Sequence, residues 1–344
     1  MRLLGVLLTA LLTVTLSGCS GSGRRPGAVV FLVGSRQFNF VQEMTLGFAH
    51  GVEDIGGVAH SESGPGVADS TAELKEYADL RRDRPAGLSV FTLSPELFAD
   101  TLGATAAAGL PVVAVHAPPA PGSGVSLFIG NDNYRLGEML GEAVAHRLPH
   151  SSGGVVVIGS TSPGVSSLEQ RVDGVRDAIS RLLPSVVVAG PFDTKQEPSA
   201  NLRAWQTLRN ANPGAVAFVG VGGRDVSSLG SLRAYSSEPW VAGAFGFDDQ
   251  SLELTRKGRM VLVSTESYLQ GDVTGRLQAL SAKTGRPLPI GWIQTPGLLI
   301  DNVNAAAVIG RQLSETRRAE WFDDTADAIV RSPEQYLRPI GEAS

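Results

Sequence analysis

Residues 28–55 read AVVFLVGSRQFNFVQEMTLGFAHGVEDI, and this stretch decides the fold. An unbroken apolar run from Ala28 to Gly34 leads through a short loop to Val41, Met44, Phe48, Val52 and Ile55, spaced 3, 4, 4 and 3 residues apart. A strand that is apolar on both faces belongs to a parallel sheet covered by helices on both sides. The spacing that follows is one face of an amphipathic helix over 41–55, and Gly56-Gly57 ends it. Strand, loop and helix in that order make the first βα unit.

The same alternation continues outward. Residues 87–93, 111–117, 125–130, 154–159, 185–192, 215–220, 241–247 and 260–264 read as further strands. Leu168, Val172, Val175, Ile179 and Leu182 mark a second amphipathic helix, stopped by Pro184. The polar, glycine-rich residues 58–66 give only a weak strand signal, and 117–124, with Pro118, Pro119, Pro121 and Gly122, read as a loop. The βα pattern runs twice, before and after Asn131, which predicts two α/β lobes. A chain of 344 residues and 36.0 kDa is long enough for both. With 42% hydrophobic residues, 18% charged residues and 41 glycines, it is a globular chain rich in tight turns. A net charge of −5 without a basic cluster argues against nucleic acid as a partner.

The first residues have a separate meaning. Arg2 precedes an apolar run of about 14 residues, which suits a signal-peptide core and falls short of the ~20 a spanning helix needs. The run ends in Leu16-Ser17-Gly18-Cys19, which resembles the bacterial lipobox. Residues 1–18 are therefore expected to be a lipoprotein signal peptide and Cys19 the lipidated residue. Cys19 is the single cysteine of the chain, so the expected mature fold has no internal disulfide. Residues 19–27, rich in Gly and Ser, read as a flexible tether. The expectation is an exported protein, lipid-anchored to the outer face of the cell membrane or periplasmic, held to the membrane by its anchor only.

Four local patterns carry a resemblance: Gly34-Ser35-Arg36-Gln37-Phe38-Asn39-Phe40, Ile129-Gly130-Asn131-Asp132-Asn133, Arg171-Val172-Asp173-Gly174-Val175 and Gly246-Phe247-Asp248-Asp249. In this order and at this spacing, over roughly residues 28–310, the chain resembles the sugar-type periplasmic binding proteins of ABC transporters. That family includes ribose-binding protein and the effector domains of lactose-repressor-type regulators. The resemblance implies a type I periplasmic-binding-protein-like α/β fold, with two doubly wound parallel-sheet lobes joined by a three-crossover hinge. It divides the chain into an N-terminal lobe of 28–131 plus about 267–291, a C-terminal lobe of 132–266 plus about 292–310, and an extension of 311–344. Trp321, Phe322, Ile329 and Val330 in that extension suit an amphipathic helix lying on a lobe.

The resemblance also implies a small polar solute, sugar or sugar-like, captured between the lobes by a monomer and delivered to ABC permease and ATPase subunits. A sensory lipoprotein reporting its ligand to a membrane kinase or receptor is the alternative within the same fold. Phe38 and Phe40 are expected to stack on the ligand, Arg171 to bind hydroxyls through its planar fork, and Asp248 to accept from them. Asn131 stands where a family residue touches the sugar, and Asp132 and Asn133 are expected to fasten the hinge. Helix capping is the competing role for Asp248, packing on the helix at 41–55 the competing role for Phe40, and a surface ion pair with Asp173 or Glu169 the competing role for Arg171.

Two departures stand out. His116 and Ala117 occupy the place of the family's Asp-Arg clamp, so His116 is expected to contact the ligand in a rebuilt pocket. Glu266 replaces a family glutamine and, ionised, can only accept, which points to a ligand with more donors or a positive charge. The sequence gives no metal-ligand spacing, no nucleophile elbow and no complete dinucleotide fingerprint, so neither an enzyme nor a cofactor is expected.

Overall fold

The computed structural model describes residues 27–149 and 153–343. The expected signal peptide, Cys19 and all but the last residue of the tether lie outside the described residues. Among these, no helix is long and apolar enough to cross a membrane.

The first half of the chain runs β1 (Val29–Val33), α1 (Asn39–Ile55), β2 (His60–Ser63), α2 (Ser70–Arg82), β3 (Gly87–Phe91), α3 (Pro95–Ala107), β4 (Val112–Val115) and β5 (Leu127–Gly130). The second half repeats it with α4 (Asn133–Ala145), β6 (Gly154–Ser160), α5 (Ser166–Leu182), β7 (Val186–Asp193), α6 (Pro198–Ala211), β8 (Ala215–Gly220), α7 (Asp225–Tyr235), β9 (Val241–Phe245), α8 (Asp249–Arg256) and β10 (Met260–Ser264). The chain ends with α9 (Ser267–Thr284), β11 (Gly291–Gln294), β12 (Leu298–Ile300), α10 (Ala305–Arg311), α11 (Glu315–Arg331) and β13 (Leu337–Arg338).

These strands form two sheets, ordered β13-β11-β5-β4-β3-β1-β2 and β12-β10-β9-β8-β6-β7. All neighbours are parallel except the edge pairs β10–β12 and β11–β13. The apolar runs have the predicted cause. In β1, Val29, Phe31 and Val33 face one core while Val30 and Leu32 face another, and in β6 Val156 and Ile158 are likewise separated from Val157.

The structure adds what the patterns left weak or missed. Residues 60–63 pair with β1 at the sheet edge, where polar side chains reach solvent. Trp292 and Ile293 pair with β5, so the chain leaves the first sheet after Gln294, three residues past the approximate bound expected at 291. The tail is built into the first lobe: α11 buries Ala319, Phe322, Ala326 and Ile329, and Leu337 and Arg338 extend the first sheet through β11. Arg276 of α9 holds α11 and α1 in place, donating Nε to Asp272 at 2.7 Å, Nη1 to Asp54 and Asp327 at 2.6 and 2.8 Å, and Nη2 to Asp323 at 2.8 Å. His50 lies between two of these carboxylates, Nδ1 at 3.6 Å from Asp272 and Nε2 at 3.8 Å from Asp323. Its two nitrogens face different partners, and the contact with Asp272 raises its pKa.

In each lobe one helix pair makes a backbone-to-backbone contact that only glycine permits. A Cβ on Gly271 of α9 would lie 1.9 Å from the Met44 carbonyl oxygen of α1, and one on Gly47 2.0 Å from that of Tyr268. Between α4 and α5, a Cβ on Gly137 would lie 2.3 Å from the Arg171 carbonyl oxygen. These pairs carry the residues at the cleft. Gly271→Ala is expected to lower stability in urea by about 2–3 kcal/mol through overpacking, whereas Gly66→Ala, with open space around it, should change little. Equal unfolding midpoints for the two variants would contradict the close helix contact.

Candidate functional site

In a doubly wound sheet the crevice opens where strand order reverses, at the carboxyl ends of the strands. Those points lie between β1 and β3 in the first sheet and between β6 and β8 in the second. The four loops that follow these strands face one another across the gap between the lobes. They supply Phe38 and Phe40, Thr92, Thr161 and Ser162, and Gly223 and Arg224.

The stacked rings of Phe38 and Phe40, 5.4 Å apart, stand at the boundary between two chambers. The first, of about 230 Å³, is lined mostly by apolar surface and contains His116 and Arg171. The second, of about 490 Å³, contains Asp248 and Glu266. The expected ligand residues are therefore divided between two spaces, and Asn131 lines neither.

In the first chamber, the His116 ring stacks on Phe40 at 4.7 Å and meets the edge of Phe91 at 5.5 Å. Its backbone is left-handed, with φ of 67°, a conformation that marks a position held by its surroundings. Gln270 Nε2 donates to Asn131 Oδ1 at 2.7 Å and to the Thr265 carbonyl at 2.9 Å, so its Oε1 is the acceptor facing His116 Nδ1 at 2.9 Å. This network assigns the proton to Nδ1 and leaves Nε2 as an acceptor. Burial, with the Arg171 charge beside it, pushes the His116 pKa down to about 4, so the ring is neutral at pH 7.

Arg171 is buried, 6% exposed, on the opposite wall. Its Nε donates to Asn133 Oδ1 at 2.8 Å, its Nη1 to the Val221 carbonyl at 3.1 Å, and its guanidinium lies 4.4 Å from the centre of the Phe245 ring. The two carboxylates near it in sequence are engaged elsewhere: Glu169 accepts from Gly164 N and Asp173 from Arg176. Asn133, expected to fasten the hinge, instead aims Arg171. Asp132 caps α4 through Arg135 N at 2.9 Å and contacts Gln294 Nε2 at 3.4 Å.

Asn131 is spent on the hinge. Its Nδ2 donates to the Thr295 carbonyl and Oγ1 and to the Pro296 carbonyl at 3.0, 3.2 and 3.2 Å. With Gln270 it ties together all three inter-lobe crossings, near residues 131, 265 and 295. Both ends of its amide are engaged there, and Asn131 lines neither chamber.

The second chamber differs from expectation as well. Asp248 Oδ1 accepts from Ser251 N at 2.7 Å in a capping box for α8, and Oδ2 accepts from Ser227 at 2.7 Å. The competing role as a helix cap is the one its geometry serves. Glu266, at φ 50°, receives both Arg311 Nη1 and Nη2, at 2.7 and 2.8 Å, and both residues are buried. Arg311 also lies 5.0 Å from the Phe322 ring and 5.1 Å from Trp321. The carboxylate that pointed to a cationic ligand is thus already neutralised from the tail. Asp225, behind Arg224, accepts from Thr194, Asn201, Trp205 and Gly222 N, and burial pushes its pKa up to about 6.

Sequence reasoning missed Phe91, Phe245, Thr161 and Gln270. Thr161 directly follows β6, and its place at the carboxyl end of a predicted strand is the signal that could have found it. The unfolded chain binds a proton at His116 near pH 6.5 and the folded chain only near pH 4, so this residue makes stability fall as pH drops through that window. His116→Asn is expected to flatten the pH dependence of stability between pH 6.5 and 4, and nitrogen NMR should show a neutral ring protonated at Nδ1 at pH 6. A ring titrating near 6.5 would contradict the assigned environment.

The fold agrees with comparisons to known proteins. A carbohydrate transporter solute-binding protein from Agrobacterium radiobacter, in complex with D-arabinose, is 21% identical, with a TM-score of 0.72 over 83% of this chain and 98% of that one. A periplasmic ribose ABC transporter structure from Conexibacter woesei is 20% identical, with a TM-score of 0.69 over 84% and 97%. A glucose-galactose binding protein from Geobacillus stearothermophilus is 19% identical, with a TM-score of 0.71 over 81% and 99%. No curated protein sequence matches the chain. The family model described as periplasmic binding protein domain matches residues 29–283. The chain belongs to the periplasmic binding protein domain family, and its fold is the type I fold of that family.

Proposed function

We propose that this chain is an extracytoplasmic solute-binding protein, lipid-anchored through Cys19, that captures a small sugar-like solute between its lobes and passes it to an ABC permease without altering it. The observation that carries this reading is the first chamber. It lies at the facing switch points of two sheets, with a ring wall on one lobe and a buried guanidinium on the other. Phe38, Phe40, His116 and Arg171 are the proposed ligand contacts. Asp248 and Glu266 form the wall of the adjoining space, and Asn131, Asp132 and Asn133 act through the hinge and Arg171.

Membership in the periplasmic binding protein domain family and the sugars named for similar structures support a sugar-sized solute. The three crossings support capture by lobe closure, because rotation about a few hinge residues opens the cleft without disturbing either core. An aromatic wall suits the apolar face of a sugar ring, and neutral Nε2 of His116 can accept from a hydroxyl. Release to a permease requires only that the lobes reopen.

Thermal-shift and calorimetric screening with sugars, polyols and sugar acids is expected to yield at least one ligand. Arg171→Ala should weaken its binding by tenfold or more, on the order of 1.4 kcal/mol or above. Asp248→Ala should instead cost about 1 kcal/mol of stability through the lost cap of α8, with affinity nearly kept. No ligand in the whole screen, or affinity that survives Arg171→Ala and falls with Asp248→Ala, would contradict the reading.

A further inference from the structure

The charges around the first chamber do not balance. No Asp or Glu is among its lining residues, while Arg171 and Arg224 both are. Among the described residues neither arginine has a carboxylate at ion-pair distance. The side chains that might have served are committed: Glu266 to Arg311, Asp248 to Ser251 and Ser227, and Asp225 to four donors behind the loop. Arg224 lies 6.0 Å from the Phe38 ring centre, and its Nε is buried without a hydrogen-bond partner. Arg171 uses Nε and Nη1 on neutral oxygens and makes no hydrogen bond through Nη2 among the described residues.

A buried cation without a counter-charge is costly, and the neutral contacts of Arg171 offset that cost only in part. A polyol could be met by neutral acceptors such as His116 Nε2, Gln196 and the hydroxyls of Thr161, Ser166 and Ser167, but neither it nor they would bring a negative charge to Arg171 and Arg224. A carboxylate offers two oxygens to a planar fork and requires no donor of its own. The geometry points to an acidic sugar as the solute, with its carboxylate on Arg171 and drawn by Arg224, and its ring against Phe40. This rests on the solute-binding reading above and narrows it, and it reverses the cationic preference suggested by Glu266 alone.

Calorimetry on the full-length protein in mild detergent at pH 7 tests the inference with D-glucuronate and D-galacturonate, their parent aldoses D-glucose and D-galactose, and the corresponding 6-phosphates. At least one uronate is expected to bind tenfold or more tighter than its aldose, with the advantage shrinking as salt rises. Arg171→Gln should abolish the advantage, and Arg224→Gln, at a partly exposed position, should reduce it severalfold even if the first variant fails to fold. An aldose binding as tightly as its uronate would overturn the acidic-sugar assignment and leave the solute-binding reading standing. Preference for a 6-phosphate with no uronate binding would overturn the carboxylate but keep an oxyanion. Binding of none of the six would overturn the assignment, and only a blank across the wider neutral screen as well would remove the solute-binding reading.

Discussion

A guanidinium buried without a carboxylate is the constraint on which the cleft depends. Arg171 is kept in place by the close approach of α4 and α5, where Gly137 and Gly174 let one backbone lie on the other. That contact brings Asn133, at the first turn of α4, to the Arg171 Nε. The Val221 carbonyl and the Phe245 face complete the support with neutral partners, each worth less than a full ion pair. The charge is thereby oriented but left open to an incoming anion or acceptor.

The opposite lobe answers with rings and a hydrogen-bonded relay. Gly47 and Gly271 allow α1 and α9 to pack as closely as their counterparts, so Phe40 on α1 and Gln270 on α9 reach the same side of the cleft. The chain Asn131–Gln270–His116 joins the three crossings to the chamber wall. The chamber wall is therefore tied to the crossings by three neutral side chains, which work in a buried setting without the cost of desolvating charge.

Most of the fold was legible because its strands are apolar on both faces, as in 29–33, and its main helices carry a clean stripe, as in α1 and α5. The parts that were not legible break those rules. Helix α9 is buried almost throughout yet carries Gln270, Asp272, Thr274, Arg276 and Gln278, so its pattern resembles a solvated helix. Strands β11, β12 and β13 are two to four residues long, too short for a periodicity to declare itself. Of the site, Phe38, Phe40, His116 and Arg171 could be named from strand ends and local patterns. The capping role of Asp248 was legible too, since Ser251 is three residues on, whereas the partners of Asn131 and Glu266, Thr295 and Arg311, lie 164 and 45 residues away. Sequence proximity carries no signal for such pairings.

The most direct measurement is a crystal structure of the protein with the solute that co-purifies in its cleft. The account predicts density in the smaller chamber, with an oxyanion or other acceptor within hydrogen-bond distance of Arg171 Nη2 and an apolar face on Phe40. A solute seated in the larger chamber on Asp248 and Glu266, with Arg311 displaced, would contradict it.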